Sequence, residues 1–440
     1  MHDWQRYQRE LVAREISTLT RYYDRVIQWK TLPHDDGLLL ELTDARQKRA
    51  LSTNEPMVDL RGERSERTAV LLNGVLNHDT DIEGLLNDLH GRLSRTSRVI
   101  AIMYNPYYRW LYQAANRFGV RAGETPNTFL TREALANLAR LSNFDIVRVR
   151  PVVHFPFPAF GVGDPVNRTA PLVPGSSAVG AVWVVVLRPI IEETQRPSLS
   201  IVIPARNERG NIEAAVTRLR SLKETGTELE IIFVEGHSSD ETWPEIERVK
   251  AKYSAEFNIK AFRQDGRGKA DAVRKGFAHA SSELLTILDA DLTMPPELLH
   301  RFYDAYCRGL GDFINGSRLT YPMEGDAMRF LNRLGNTFFA KALGRTLDTP
   351  LSDSLCGTKL VTAHDYARIQ RWRNDFGDFD PFGDFELLFP AAILGLGIID
   401  IPIRYRARAY GATNINRFRH GAQLLKMTGV GLSRIKVGQC

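Results

Sequence analysis

Glu283 to Leu299 read ELLTILDADLTMPPELL, and the fold turns on this stretch. Leu284 to Leu288 are an apolar run of strand length. The run leads directly into two carboxylates, Asp289 and Asp291, then a Pro295-Pro296 breaker and a new helix. A strand ending in Asp-x-Asp sets carboxylates at the carboxyl edge of a sheet, where open α/β sheets bind ligands. Mg²⁺ and Mn²⁺ prefer oxygen ligands, combining one or two carboxylates with water and substrate phosphates. A metal–diphosphate site is therefore expected here. Two other Asp-x-Asp pairs occur. Asp79/Asp81 precede a polar helix start, where capping accounts for them. Asp378/Asp380 lie in a Gly/Phe loop. Only the middle pair follows an apolar strand.

At 440 residues the chain is too long for one ordinary core, so two domains are expected. A net charge of +6 suits an anionic substrate or a membrane surface, or simply a solvated face. Zinc-finger spacing, long Lys/Arg runs and RNP-like aromatics are missing, so no nucleic-acid partner is expected. Cys307, Cys356 and Cys440 are far apart and odd in number, a reduced, cytoplasmic pattern. The polar start Met-His-Asp-Trp-Gln-Arg has no signal-peptide core. The apolar runs 178–187 and 389–403 are too short or too broken to span a bilayer.

Outward from Asp289, strand, polar loop and helix repeat four times. Ser198–Pro204 leads to Ala205-Arg206-Asn207-Glu208, and Leu229–Val234 leads to Glu235-Gly236-His237. Ile259–Phe262 leads to Gln264-Asp265-Gly266-Arg267-Gly268-Lys269, and the fourth strand leads to Asp289. That is the grammar of a mostly parallel sheet whose loops gather at one edge. Asp240 is placed to cap a helix.

The ordered segments IVIPARNE, VEGHSSDET, GRGKADAVRKG and LDADLTMPPE resemble the family 2 glycosyltransferases of GT-A fold, of the polyprenyl- or dolichyl-phosphate sugar synthase type. The resemblance covers about residues 197–420. It implies transfer of a sugar from a UDP- or GDP-sugar to a polyprenyl phosphate, with inversion. It implies that Pro204, Ala205, Glu208 and Glu235 hold base and ribose, with Arg206 a further substrate-binding residue of the same loop, although Asp is usual where Glu235 stands. Gly268 and Lys269 face a phosphate, as a Gly-rich loop before a helix can. By the same resemblance Asp289 and Asp291 are expected to hold Mg²⁺ or Mn²⁺, Asp291 directly and Asp289 shared with the ribose. Thr293 stands where related synthases carry Gln. The resemblance further implies that Arg318 faces the phosphates. LSDSLCGTKLV supplies Asp353 and Lys359 on the acceptor side, with Cys356 a packing residue. FGDFELLFPAAILGLGIIDIPIRYRAR supplies Asp384, with Glu386 as alternate acid. The arginines of 404–419, Arg406 and Arg408 among them, suit a lipid phosphate or anionic headgroups, or a solvated face. YGATNINRFRHG resembles the family's acceptor loop.

In the N-terminal part, residues 1–67 read as a helical or irregular segment with a strand candidate at Leu38–Leu42. From residue 68 the segments AVLLNGVLNH, SRVIAIMYN and LARLSNFDIVRVRP resemble the C-terminal half of a class I S-adenosylmethionine-dependent methyltransferase. That family needs a Gly-rich loop after its first strand, and before residue 68 only Gly37 and Gly62 occur. Residues 68–192 are accordingly expected to be a partial, degenerate methyltransferase-like α/β domain that does not bind the cofactor. Residues 193–197 are then a linker, 198–420 the GT-A domain and 421–440 a tail. Three alternatives stand beside this assignment: a saccharide-hydroxyl acceptor, with Asp384 or Glu386 as base; methyl transfer by the N-terminal domain; and a docking or oligomerisation role for it. A cytoplasmic protein, peripheral to the membrane when its acceptor is a lipid, is the expected location.

Overall fold

The computed structural model describes residues 3–52, 55–62, 66–119, 124–173, 175–321, 330–349, 351–377, 383–406, 408, 410 and 417–433. Two sheets organise them. The first holds β1 (Arg25–Gln28), β2 (Gln47–Ala50), β3 (Thr68–Asn73), β4 (Arg98–Tyr104), β5 (Phe144–Val152) and β6 (Val182–Pro189), in the order β2-β1-β3-β4-β6-β5. Its first four strands run parallel, and β6 is antiparallel to both β4 and β5. The second holds β7 (Leu199–Ala205), β8 (Leu229–Glu235), β9 (Asn258–Arg263), β10 (Leu284–Ile287), β11 (Phe313–Ser317), β12 (Lys359–Thr362) and β13 (Ile398–Pro402). Its order is β13-β11-β12-β10-β7-β8-β9, with β12 alone antiparallel.

Both sheets are mostly parallel and covered on both faces, which is why β3, β4, β8 and β10 read as near-continuous apolar runs. From β7 the chain winds outward through β8 and β9, then returns to place β10 on β7's other side. The carboxyl ends of β7 and β10 therefore flank a topological switch point, where such sheets bind ligands. Asp289 and Asp291 follow β10, and Arg206 and Glu208 follow β7.

Three expectations need correction. Residues 1–67 are not merely helical and irregular: β1 and β2 belong to the first sheet. Their signals are weak because β1 is four residues long and continues the helical spacing of Asp3–Thr20, while β2 is exposed throughout. Leu38–Leu42 is a helix, begun by Gly37 at φ 71°. A five-residue apolar run does not distinguish strand from helix by periodicity. The boundary at residue 420 falls inside helix Arg417–Gly431, whose Leu424 and Met427 enter the second domain's core. Residues 411–416 of the acceptor-loop resemblance, and the Asp378/Asp380 pair, lie outside the described residues. Asp81 accepts a hydrogen bond from Gly84 N at 2.8 Å, the capping role expected of the first Asp-x-Asp pair.

The sheets meet across a polar seam. Arg98 of β4, 1% exposed in its side chain, pairs with Asp312 at 2.6 Å and donates to Gly395 O at 2.6 Å. Arg188 of β6 donates to Gly309 O at 3.0 Å and Leu310 O at 2.6 Å. Arg67 pairs with Asp365 at 2.5 Å. Burial alone would raise the Asp312 carboxyl, but Arg98, Arg188 and Arg95 outweigh it and hold it well below its usual range. No helix of the described residues is long and apolar enough to cross a membrane.

Candidate active site

Four loops converge at the carboxyl edge of the second sheet. After β10, Asp289 pairs with Lys269 from the first turn of helix Lys269–Ala278. Gly268, at φ 88°, turns the chain into that helix, and Gln264 Nε2 holds the Gly268 carbonyl at 2.7 Å. Burial would raise Asp289, yet Lys269, Lys359 and Arg318 together hold its carboxyl below the usual value.

Asp291, 8% exposed, accepts from Thr293 N at 3.1 Å and Thr293 Oγ1 at 2.8 Å. Arg408 reaches it at 2.7 Å and reaches Glu208 at 3.8 Å. A single guanidinium thus bridges the β7 loop, the β10 loop and the segment after β13. Burial, then the charge of Asp291, push Glu208 above its usual value, opposed by Asn211 and Arg408. Glu235 is buried at the end of β8 and accepts from Ser238 N at 2.5 Å.

Opposite these, Arg318 is held by a two-pronged pair with Asp353, Nε at 2.7 Å and Nη2 at 2.9 Å. Burial opposes the charge on Arg318, but Asp353 outweighs it and keeps the guanidinium protonated more firmly than usual. Asp353, fully buried, also accepts from Leu355 N at 2.9 Å. It therefore acts as the holder of Arg318. Lys359, 1% exposed, donates to Asp384 at 2.6 Å and to Cys356 O. Glu386 points elsewhere, into a pair with Arg274 at 2.8 Å and Arg373 at 3.5 Å.

Of the sequence candidates, Glu208, Asp289, Asp291, Lys269, Arg318, Asp353, Lys359, Asp384 and Arg408 are joined by direct pairs or by shared electrostatic coupling. Pro204 and Ala205 end β7 beside Val234 and Glu235. Arg206 is exposed. Arg406 is joined through its backbone N to Thr293 O at 2.9 Å, while its side chain acts on Glu297. Burial pushes the Cys356 thiol up to about 12, consistent with packing and not with a thiolate.

Two contributors escaped sequence reasoning. Gly357 approaches the Lys269–Asp289 pair so closely that a Cβ would collide with both side chains. Tyr405 carries Arg318 over its ring at 5.6 Å and senses the charge of Asp291. The small residue within LCGTK was the available signal for the first. Nothing local marks the second.

Arg318→Lys is expected to lower turnover by about tenfold, because an ammonium cannot reproduce the two-pronged contact that fixes the cation. Steady-state kinetics on the purified variant would measure it, and unchanged turnover would remove Arg318 from the chemistry.

The Glycosyl transferase family 2 model matches residues 200–366. That match makes this region a family 2 glycosyltransferase domain, and the protein a transferase. Among characterised proteins, the chain is 26% identical to dolichol-phosphate mannosyltransferase of Pyrococcus furiosus, over 55% of this chain and 70% of that one. It is 29% identical to the enzyme of that name from Mycosarcoma maydis, over 52% and 79%. It is 28% identical to dolichyl-phosphate hexose transferase of Haloferax volcanii, over 54% and 93%. Among solved structures, glucosyl-3-phosphoglycerate synthase of Mycobacterium tuberculosis aligns with TM-score 0.39 at 17% identity, over 54% of this chain and 81% of that one.

Proposed function

We propose that the protein transfers a hexose from a UDP- or GDP-sugar to a polyprenyl phosphate, with inversion at the anomeric carbon. The observation that carries this reading is the gathering of Asp289, Asp291, Lys269, Arg318 and Arg408 at one sheet edge. The names of the similar mannosyl- and hexosyltransferases support the lipid phosphate as acceptor.

The donor set suits a hard divalent cation: two carboxylates at a strand end, one of them steadied by Thr293. Asp291 and Asp289 would hold Mg²⁺ or Mn²⁺, which as a Lewis acid would offset charge on the departing diphosphate. Lys269 and Arg318 present fixed positive charge to the same phosphates. The end of β7 and the carboxylates of Glu208 and Glu235 receive base and ribose.

Asp384 favours a phosphate over a sugar hydroxyl as nucleophile. Its carboxylate oxygen is taken up by the Lys359 ammonium at 2.6 Å and so is engaged there, away from an acceptor hydroxyl. A phosphate acceptor is already anionic and needs no strong base, and the buried Lys359 lends its site positive charge. For the first domain, the parallel sheet closed by the antiparallel β5–β6 pair supports a methyltransferase-like origin. With only Gly37 in the loop after β1, we assign it docking and not methyl transfer.

The test is a panel of UDP-, GDP- and dTDP-hexoses with Mn²⁺, offered a polyprenyl phosphate and, separately, a free saccharide. A glycolipid product is expected. Transfer to the saccharide alone, or to neither, would overturn the reading.

A further inference from the structure

Helix Phe330–Leu347 of the second domain and residues of the first domain line a cleft of about 780 Å³ that shares no lining residue with the site around Asp291. Six cations line it: Arg14, Arg132, Arg150, Arg168, Lys341 and Arg345, against the acids Glu15 and Asp348. Arg150 takes up both acids, at 3.3 and 2.9 Å, and Arg14 pairs with Asp164 at 3.5 Å. The other four are exposed, and among the described residues none has a carboxylate within ion-pair distance. Beneath the lining, His154 Nε2 and the Nη2 of the already paired Arg150 are buried without a hydrogen-bond partner among the described residues. With Arg132, Arg168, Lys341 and Arg345 exposed at its lining, the cleft has the charge to take an anion.

The segment that forms the cleft's outer wall is apolar where it faces water. Phe157, Phe160, Val162, Leu172 and Val173 are exposed, Phe160 completely. Asn167 clamps this segment by accepting from Phe155 N at 3.0 Å and donating to Phe155 O at 2.8 Å and Gly163 O at 3.0 Å. Ala159 and Phe160 hold left-handed backbone, at φ 40° and 52°, which is costly for residues other than glycine. A hydrogen-bonded segment that exposes several large apolar side chains is a candidate interaction surface. Tyr108 ties a second exposed set, Tyr107, Trp110 and Phe118, to the same face by donating to Val179 O at 3.0 Å.

Apolar and aromatic side chains flanked by unpaired cations are complementary to an anionic bilayer, apolar below the surface and negative at the headgroups. We propose that this face docks the protein on anionic phospholipid, with Phe157, Phe160 and Leu172 entering the interface and the cleft taking a headgroup phosphate. This face shares no residue with the site around Asp291. It stands or falls separately from sugar transfer, and its test contains neither donor nor polyprenyl phosphate.

The full chain would be sedimented with vesicles of phosphatidylglycerol and phosphatidylcholine, or of phosphatidylcholine alone. Binding to the first, weakened by salt, is expected. Neutralising one cleft cation, Arg345→Gln or Lys341→Gln, should weaken partitioning about fivefold each. Phe160→Asp should weaken it at least as much with an unchanged thermal midpoint, since Asp tolerates left-handed backbone. Equal binding to both vesicles, no binding, or variants that bind like the parent would overturn the proposal. So would stabilisation by inorganic phosphate without vesicle binding, which would make the cleft a small-anion site. Loss of a dimer in place of vesicle binding would instead make the face a contact between copies.

Discussion

Asp291→Asn is expected to lower kcat/KM for sugar transfer by about 10²- to 10³-fold while leaving the fold intact. Several kcal/mol of transition-state stabilisation by a bound cation correspond to that range, at about 1.4 kcal/mol per factor of ten. Asn keeps the side-chain oxygen that accepts from Thr293, so the local turn survives. What it removes is the charge that holds Arg408 at 2.7 Å and that would hold the metal. Glu208, the other carboxylate near Arg408, is farther away at 3.8 Å. Kinetics across a Mn²⁺ titration would separate the two roles. A metal ligand shifts the Mn²⁺ concentration needed for half-maximal rate, whereas a group that only steadies Arg408 lowers the rate at every concentration. A loss smaller than tenfold would count against a cation held by Asp291.

Asp312→Asn is the largest expected effect on stability, about 3–5 kcal/mol, because removing one partner leaves buried charge uncompensated. Arg98 at 2.6 Å and Arg95 at 3.6 Å would face an amide, and Arg188 at 3.9 Å would lose its distant counter-charge. A urea titration should show the midpoint move to lower denaturant, and a shift equivalent to less than 1 kcal/mol would show the seam to be solvated. The pH dependence follows from the carboxyl's direction of shift. Its folded value lies below the unfolded one of about 3.9, so the stabilisation is complete above that pH. It disappears as pH falls through the folded value. The variant should therefore lose less stability than the parent between neutral pH and the acid range.

The second sheet was legible because its information is local. Each of β7, β8 and β10 is an apolar run ending in polar residues, and the order of those loops assembles the pocket by topology alone. Asp289, Asp291 and Lys269 could be placed from that pattern. The partners could not. Arg408 meets Asp291, and Lys359 meets Asp384, only after the chain has closed through β12 and β13. The resemblance puts Asp353 on the acceptor side because of the segment it stands in; in the fold its carboxylate fixes Arg318. The seam was hidden for another reason. Arg98 and Arg188 sit at the ends of apolar strands, where an arginine ordinarily marks the exit to solvent and here meets another domain.

β2 is the outermost strand of its sheet, and all four of its residues, Gln47-Lys48-Arg49-Ala50, are exposed. An outer strand offers unpaired amides and carbonyls to any passing chain, and lysine placed there discourages uptake of a second one. The polar composition that kept β2 out of sight in the sequence is thus a safeguard against aggregation.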